Sequence, residues 1–285
     1  MKVIPFQVPK TGQEAFRLQV DALPYFYHRL HQHSETQIML IEKGEGTLIV
    51  GDYVGRFNAG DVYVIGSGQP HVFRSDESYY HTRSKKNVQA TAIYFDEHYA
   101  GENFWKLQEL KDIRLFLSKV GAMRVEAKTQ KEVVSLIQQI TQAQKAIKLI
   151  LFLQLLHALS QSKNLKRLSV APVQNLAQEE DKRMNDVLQF TFRQSNRKIK
   201  ISEVASVANL SREAFCRDCK MRTRKTYTNF LNEVRISHAC KRLIEGEPNI
   251  QSVAYGSGFQ NLSHFNRQFK KVTGKTPSTY IKPGK

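Results

Sequence analysis

The last third of the chain repeats itself, and this limits its fold more than any other feature. Ile201, Val204 and Ala205 recur 49 residues later as Ile250, Val253 and Ala254. Phe215, Arg217, Lys220, Thr223 and Thr226 recur 50 residues later as Phe265, Arg267, Lys270, Thr273 and Thr276. One residue is therefore inserted inside the second copy. Self-similarity of this size marks one supersecondary unit used twice. Each copy reads as helix, tight turn, helix. In the first, Ile201, Val204, Ala205 and Ala208 set an apolar stripe on a short helix. Asn209-Leu210 makes the turn, and Ser211 is a good N-cap for the next helix. In the second, Val253 and Ala254 form the stripe, Gly256 and Gly258 permit the turn, and Phe259 plugs the core. The following helix starts at Gln260 or Asn261. The small Ala205 and Ala254 let the paired helices cross closely. A second helix held this way can enter the major groove of DNA.

Charge points the same way. The formal net charge is +17. Residues 182–285 hold 21 Lys and Arg against 7 Asp and Glu, whereas the first 181 hold 22 against 19. Excess positive charge confined to the repeated zone is the footprint of a polyanion binder, with double-stranded DNA first and an acidic membrane second. No membrane partner is expected, because the greasiest run, Leu149 to Leu159, falls short of the roughly 20 residues of a span and contains Gln154 and His157. It reads as a buried helix. The N-terminal MKVIPFQVPK lacks the apolar core of a secretory signal. Three cysteines are too few for a disulfide framework, so a reducing cytoplasm is expected.

Helical spacing sorts the second helices into faces. Phe215 and Cys219 are four apart and face inward, as are Phe265 and Phe269. Arg212, Glu213, Cys216, Arg217 and Lys220 lie on the other side of the first helix. Leu262, Ser263, Asn266, Arg267 and Lys270 lie on the other side of the second. Arg217 and Arg267 suit bidentate contact to guanine, and Asn266 suits adenine. Ser211, Lys220, Lys270, Lys271 and Lys275 suit phosphates, which position without specifying. Cys216 and Cys219 form a C-x-x-C, which by itself is a weak metal signal. Burial of Cys219 favours packing instead.

Two other textures precede the basic zone. From about Tyr25 to Phe95, apolar and polar residues alternate between glycines, the pattern of short antiparallel strands in a barrel or sandwich. From about Glu102 to Ser160 the period becomes helical. Phe104, Leu107, Leu110, Leu115 and Leu117 fit an amphipathic helix roughly, and Val133, Leu136, Ile137 and Ile140 fit one well. Such helices can brace the barrel or pair with a partner's helix. Ser169 to Asp181 is polar, with a proline and an acidic cluster, and reads as a linker.

The run from Gly258 to Tyr280 (GFQNLSHFNRQFKKVTGKTPSTY), preceded by IQSVAYGS, resembles the AraC/XylS family of bacterial transcription activators. The first unit, ISEVASVANLSREAFCRDCK, is a looser match. The joining segment FLNEVRISHACKRLI matches the family's connecting helix through Arg235, Ala239, Leu243 and Ile244. The resemblance covers roughly Lys182 to Lys282. It implies that base-reading positions fall on Glu213, Cys216 and Arg217, and on Leu262, Ser263, Asn266 and Arg267. Three departures stand out. Asp218 and Cys219 replace two buried apolar residues, and Arg224 replaces a glycine. The first unit is then expected to pack less well, or its second helix to end differently. Leu262 brings no hydrogen bond and could meet only a thymine methyl or the DNA backbone.

His31 and His33 are two apart on an expected strand, so both point to one face. Gln37 follows, and Gly60 leads GDVYVIGSGQPHVF with His71. This resembles the cupin double motif, and the family often carries such a barrel as its sensor. In metal-binding cupins a glutamate stands at the place of Gln37. Glu35 is expected on the opposite strand face, and Gly66 replaces the usual proline. Three readings stay open. The cluster His31, His33, Gln37 and His71 binds a small polar effector without metal, or the three histidines bind a divalent ion, or they only hydrogen-bond within the barrel. The first is preferred, with no metal and no cofactor expected.

The expected fold is multi-domain. A cupin-like antiparallel β-barrel sensor spans 1–100, a helical brace or dimerisation segment 101–168, a linker 169–181, and an all-α DNA-binding domain 182–285, with helix-turn-helix units at 201–222 and 250–272. The expected function is an effector-controlled, sequence-specific transcription regulator, most simply an activator. It would act as a homodimer with DNA and an effector as partners, and with RNA polymerase as a further one. The rivals are a cupin metalloenzyme tethered to nucleic acid, which the absent glutamate disfavours, and a constitutive DNA binder whose barrel only dimerises.

Overall fold

A computed structural model describes residues 14–96, 99–169 and 178–281. Nine strands and eleven α-helices lie in these segments. The strands are β1 (Arg17–Leu23), β2 (Thr36–Lys43), β3 (Gly46–Val50), β4 (Tyr53–Phe57), β5 (Val62–Ile65), β6 (His71–Ser75), β7 (Val88–Phe95), β8 (Ala122–Val125) and β9 (Leu165–Ser169). The helices in the same half are α1 (Glu102–Trp105), α2 (Lys111–Leu117), α3 (Ala127–Gln142) and α4 (Lys145–Gln161). The C-terminal half holds α5 (Gln178–Gln194), α6 (Ile201–Val207), α7 (Arg212–Thr223), α8 (Tyr227–Ile244), α9 (Ile250–Gly256), α10 (Leu262–Thr273) and α11 (Pro277–Ile281). The chain divides into two compact units. One is Thr47–Arg56 with the helices from α5 onward, and the other holds the remaining strands and helices.

The larger sheet has the order β1-β7-β2-β5-β8-β9, with every pairing antiparallel. Strand alternation gives its two faces different work. Ile38 and Leu40 of β2, Val62 and Val64 of β5, and Ile93 and Phe95 of β7 share one buried cluster with the helices. Val133, Ile137 and Ile140 of α3, and Phe152, Leu155, Leu156 and Leu159 of α4, fill the rest of that core. All seven are at most 1% exposed, so one face of the greasy 149–159 run is buried, but the expectation of a wholly buried helix fails at Ile150, which is 49% exposed. The alternate residues of β2 and β7, Gln37 and Tyr94, are paired across the ladder and face the other way. That face carries the histidine site. The smaller sheet has the order β4-β3-β6.

Three expectations need correction. The first amphipathic run is broken into α1 and α2, with a 3₁₀ turn at Gln108–Leu110 between them. Residues 101–168, read as a helical brace, also contain β8 and most of β9, which extend the sheet beside β5. These are strands of four and five residues, too short for periodicity to declare them. The linker is shorter than 169–181 as well. Ser169 ends β9, α5 begins at Gln178, and residues 170–177 lie outside the described ones. The acidic cluster read as linker falls within α5.

The C-terminal repeat holds down to single hydrogen bonds. Leu210 N donates to Ala205 O at 3.0 Å, and Phe259 N to Ala254 O at 3.1 Å. Thr223 Oγ1 donates to Cys219 O at 2.7 Å, and Thr273 Oγ1 to Phe269 O at 2.8 Å. Asn209 (φ 52°) and Gly258 (φ 92°) make the matching left-handed turns. The inserted residue is Gln260, since Leu210 aligns with Phe259 and Ser211 with Asn261. At Gly258 a Cβ would lie 2.0 Å from Ser195 O, so the close approach of the α5 end as well as the turn requires glycine.

Candidate nucleic-acid interface and barrel histidine site

The second helix of each unit is started by a side-chain cap. Ser211 Oγ accepts from Ala214 N at 3.2 Å, and Asn261 Oδ1 accepts from His264 N at 2.8 Å. This settles the start of α10 at Asn261. Phe215 and Cys219 of α7 and Phe265 and Phe269 of α10 are buried, as their four-residue spacing implies. Their burial turns the opposite stripes outward. Ser211, Arg212, Glu213, Cys216, Arg217 and Lys220 are all exposed, as are Ser263, Asn266, Arg267, Lys270 and Lys271. Leu262 differs. It is half-buried and packs against the cluster of Phe259, Phe265 and Phe269, so most of its surface serves the core. The sequence reading passed over His264, which sits one turn before Gln268 on α10 and is half-buried. Burial, helped by Arg267 and Arg235, lowers its pKa and favours the neutral ring. The repeat hid it, because its counterpart in the first copy is Ala214.

The connecting helix α8 fixes the second unit. Arg235 donates from Nε to Ser195 O at 2.8 Å and from Nη2 to Arg197 O at 2.7 Å. Arg242 grips Glu247 through two bonds of 2.6 and 3.0 Å, and Glu247 accepts from Ser252 Oγ at 2.6 Å. Arg235 so ties α8 to the chain just after α5, and the Arg242–Glu247–Ser252 chain ties α8 to the first turn of α9. The C-x-x-C is a packing feature: Cys216 is exposed while Cys219 is buried, and burial pushes the Cys219 thiol up to about 11.

In the barrel, His31 and His33 stand before β2 rather than on a strand. His31 instead makes an isolated bridge with His71 at the start of β6, through backbone bonds of 3.1 and 2.8 Å. The three rings converge. Centroids lie 4.4 Å apart for His31 and His71, 5.1 Å for His33 and His71, and 6.2 Å for His31 and His33. One ring nitrogen from each can be chosen so that all three lie within 4.8 Å. Each Nδ1 donates to a backbone carbonyl: His31 to Arg29 at 2.9 Å, His33 to Glu35 at 2.9 Å and His71 to Gln69 at 2.8 Å. A carbonyl can only accept, so Nδ1 carries the proton and Nε2 the lone pair. Burial lowers the pKa of all three, and mutual repulsion adds to it for His31 and His71. His31 falls to about 4. Gln37 donates from Nε2 to Tyr94 OH at 3.2 Å, joining the fourth sequence-assigned residue to the same face.

Comparison with known proteins agrees with both halves. A helix-turn-helix domain family matches residues 204–283, and a cupin domain family matches residues 24–79. The chain is 25% identical to the HTH-type transcriptional regulator YdeC of Bacillus subtilis (strain 168), across 90% of this chain and 87% of that protein. It is 24% identical to the HTH-type transcriptional activator RhaR of Enterobacter sp. (strain 638), across 90% and 88%. The chain thus carries a helix-turn-helix domain of AraC type and a cupin domain. It is a sequence-specific DNA-binding transcription regulator with a cupin-like domain. Among solved structures, ToxT from Vibrio cholerae O395 is similar over 94% of this chain and 97% of its own, at 15% identity and a TM-score of 0.37. No helix among the described residues is long and apolar enough to cross a membrane.

Cupin folds often hold a metal through three histidines and a glutamate, and the residues here can be tested against that set. One ring nitrogen from each of the three lies within 4.8 Å of the others, and His71 Nε2 is buried with no hydrogen-bond partner among the described residues. Gln37 Oε1 is likewise buried and unpartnered among them. The expectation of no metal rested on Gln37 alone. The donor geometry fits a cation, with an amide oxygen where the carboxylate would be.

Proposed function

We propose that this regulator reads DNA with α7 and α10, one helix in each of two neighbouring major grooves. The observation that supports it is two polar, exposed faces in matched register on a strongly basic domain. Arg217 and Arg267 take guanine and Asn266 takes adenine, while Glu213, Cys216 and Ser263 tune the neighbouring positions. Arg212, Ser211, Lys220, Lys270 and Lys271 hold phosphates. Leu262 stays in the contact set only through its exposed edge. If roughly six phosphates are neutralised, log K should fall against log salt with a slope near −5. Titration of the full chain onto a selected duplex at several salt concentrations measures that slope, and a flat dependence overturns the reading.

The barrel is the sensing half, with a small-molecule effector held at His31, His33, Gln37 and His71. The chain acts in the cytoplasm on its operator as an activator that contacts RNA polymerase, and it is not an enzyme. It works as a homodimer through the helices. Leu110, Ile113, Leu136, Ile150 and Leu153 line an open apolar groove of about 630 Å³ across α2, α3 and α4. Ile147 and Ile150 beside it are 59% and 49% exposed. A patch of this kind on a soluble chain favours a partner. Light scattering on the full chain tests it: Ile150→Asp should give a monomer, and a dimer unchanged by that substitution overturns the assignment.

A further inference from the structure

The two helix-turn-helix units are joined along the chain by α8, but α5 touches both as well. Thr191 of α5 is fully buried, and its hydroxyl lies 2.9 Å from Tyr227 OH. Thr191 Oγ1 also donates to Val187 O at 2.7 Å. A hydroxyl has one hydrogen, so Tyr227 is the donor between the two. The Tyr227 ring in turn packs edge-on at 5.5 Å against Phe215, the core residue of α7. Ser195 follows Thr191 by four residues and continues the same side of the helix.

There the second unit is attached. Arg235 of α8 donates from Nε to Ser195 O and from Nη2 to Arg197 O. Both carbonyls lie past the end of α5, where the helix ladder supplies no further donors. The guanidinium carbon stands 5.8 Å from the ring centroid of Phe259. A Cβ on Gly258 would lie 2.0 Å from Ser195 O and 2.8 Å from Arg235 Nε, so the turn between α9 and α10 rests directly on this junction. Phe259 carries the contact on to Phe265 of α10 at 5.2 Å. One side of α5 thus reaches the interior of both units, α7 through a hydroxyl pair and α10 through a guanidinium.

The chemistry at Arg235 calls for arginine. Two carbonyls and a neighbouring aromatic ring need a planar fork with separate donors and a face that can stack, whereas lysine offers a single point charge. Apolar packing among Ile236, Val253, Phe265 and Phe269 already seats the second unit on α8. That packing is non-directional. Two hydrogen bonds from one planar group fix an angle as well as a distance. We propose that Arg235 is a positioning residue for DNA recognition. By fastening the Gly258–Phe259 turn to the end of α5 it fixes the separation and angle of α7 and α10, and hence the number of base pairs between the two segments they read. The proposal rests on the reading of α7 and α10 as occupying two major grooves. One base pair more or less between the segments shifts them by about 3.4 Å and turns them by about 35° around the duplex. A rigid pair of helices cannot follow that change, and a loosened pair can.

The test uses the full chain and the duplex it selects from a randomised library, with versions of that duplex one base pair longer or shorter between the two segments. The wild-type chain should lose about 10-fold or more on either change, the worth of at least one bidentate base contact. Arg235→Ala should bind the original duplex more weakly. Its loss on the altered spacings should shrink to about 3-fold or less, below the worth of a single such contact, with base preference inside each segment retained. Arg235→Lys should behave like Arg235→Ala, because it keeps the charge and loses the fork. Thr191→Val combined with Tyr227→Phe loosens the other end of α5 without orphaning a hydroxyl, and should shrink the spacing loss by a smaller factor. If Arg235→Ala does not fold, this double variant decides, and a wild-type spacing loss in it overturns the proposal. A folded Arg235→Ala chain with the wild-type spacing loss overturns it too. So does full rescue by Arg235→Lys with a shallower salt dependence in Arg235→Ala, which would make Arg235 a phosphate contact. A wild-type selection that returns one segment sinks the two-groove reading and the proposal with it, whereas two segments with an unchanged spacing loss in every variant sink the proposal alone.

Discussion

The two helix-turn-helix units share a backbone plan but are held together by different chemistry. In the second, Phe265 and Phe269 of α10 are fully buried, and Phe259 packs edge-on against Phe265 at 5.2 Å. Gly274 ends the helix in the left-handed conformation at φ 75°. In the first, Phe215 keeps its place, but Cys219 stands at the position of Phe269. Asp218 and Arg222 stand at those of Gln268 and Val272. Arg222 is 3% exposed at the side chain and pairs with Asp218 at 2.7 Å. Arg224 ends α7 at φ 56°, a conformation that disfavours any residue with a Cβ. One unit is an aromatic core with a glycine stop. The other replaces aromatic volume with a buried ion pair and accepts a strained stop. Matched external faces on unequal interiors teach that the outward register and the interior packing are set separately in this domain.

Several substitutions should break that contrast if it is wrong, beginning with the largest effect. Phe269→Ala should destabilise the chain by about 3–5 kcal/mol, the usual range for an aromatic core deletion. Cys219→Ala removes one sulfur at the equivalent place and should cost about 1 kcal/mol. Equal shifts of the urea midpoint for the two would contradict the difference in packing. Next, Asp218→Ala leaves the buried Arg222 without its carboxylate and should cost about 2 kcal/mol. Gln268→Ala at the matching site should stay within about 0.5 kcal/mol. Denaturant unfolding at low and high salt checks both, and little change with salt is expected for the buried pair. The smallest effect is at the helix stops. Arg224→Gly should stabilise by about 1 kcal/mol, while Gly274→Arg should destabilise by about as much. A loss of stability in Arg224→Gly would mean that its side chain earns its place by contact.

Much of this was legible in the sequence, for identifiable reasons. The 49- and 50-residue offsets located the four helices, the insertion and both outward faces, because helical spacing and repetition constrain each other. The departures at Asp218, Cys219 and Arg224 pointed to the unit with the buried ion pair and the non-glycine stop. The ion pair to Arg222 was not foreseen, since an arginine in a basic helix reads as solvated surface. The short β8 and β9 were missed because four or five residues show no period. His31, His33 and His71 were found, but the reason they converge was not. Their approach depends on an isolated bridge between His31 and His71 and on three carbonyl contacts that lie outside regular strands. Leu262 was placed wholly on the outward face because spacing cannot tell a rim residue from a core one.

The central claim is that both units read bases from matched positions, and one measurement tests it most directly. The full chain and its Arg217→Ala and Arg267→Ala variants are each bound to a randomised duplex library, and the selected sequences are compared. Each substitution should relax preference at one base position, worth about 1–3 kcal/mol, with the two positions lying in separate major-groove segments. Lys271→Ala, as the control, should weaken all sequences alike. If both arginine variants instead lose affinity uniformly and keep the wild-type preference, the helices bind only phosphate and the account of recognition is wrong.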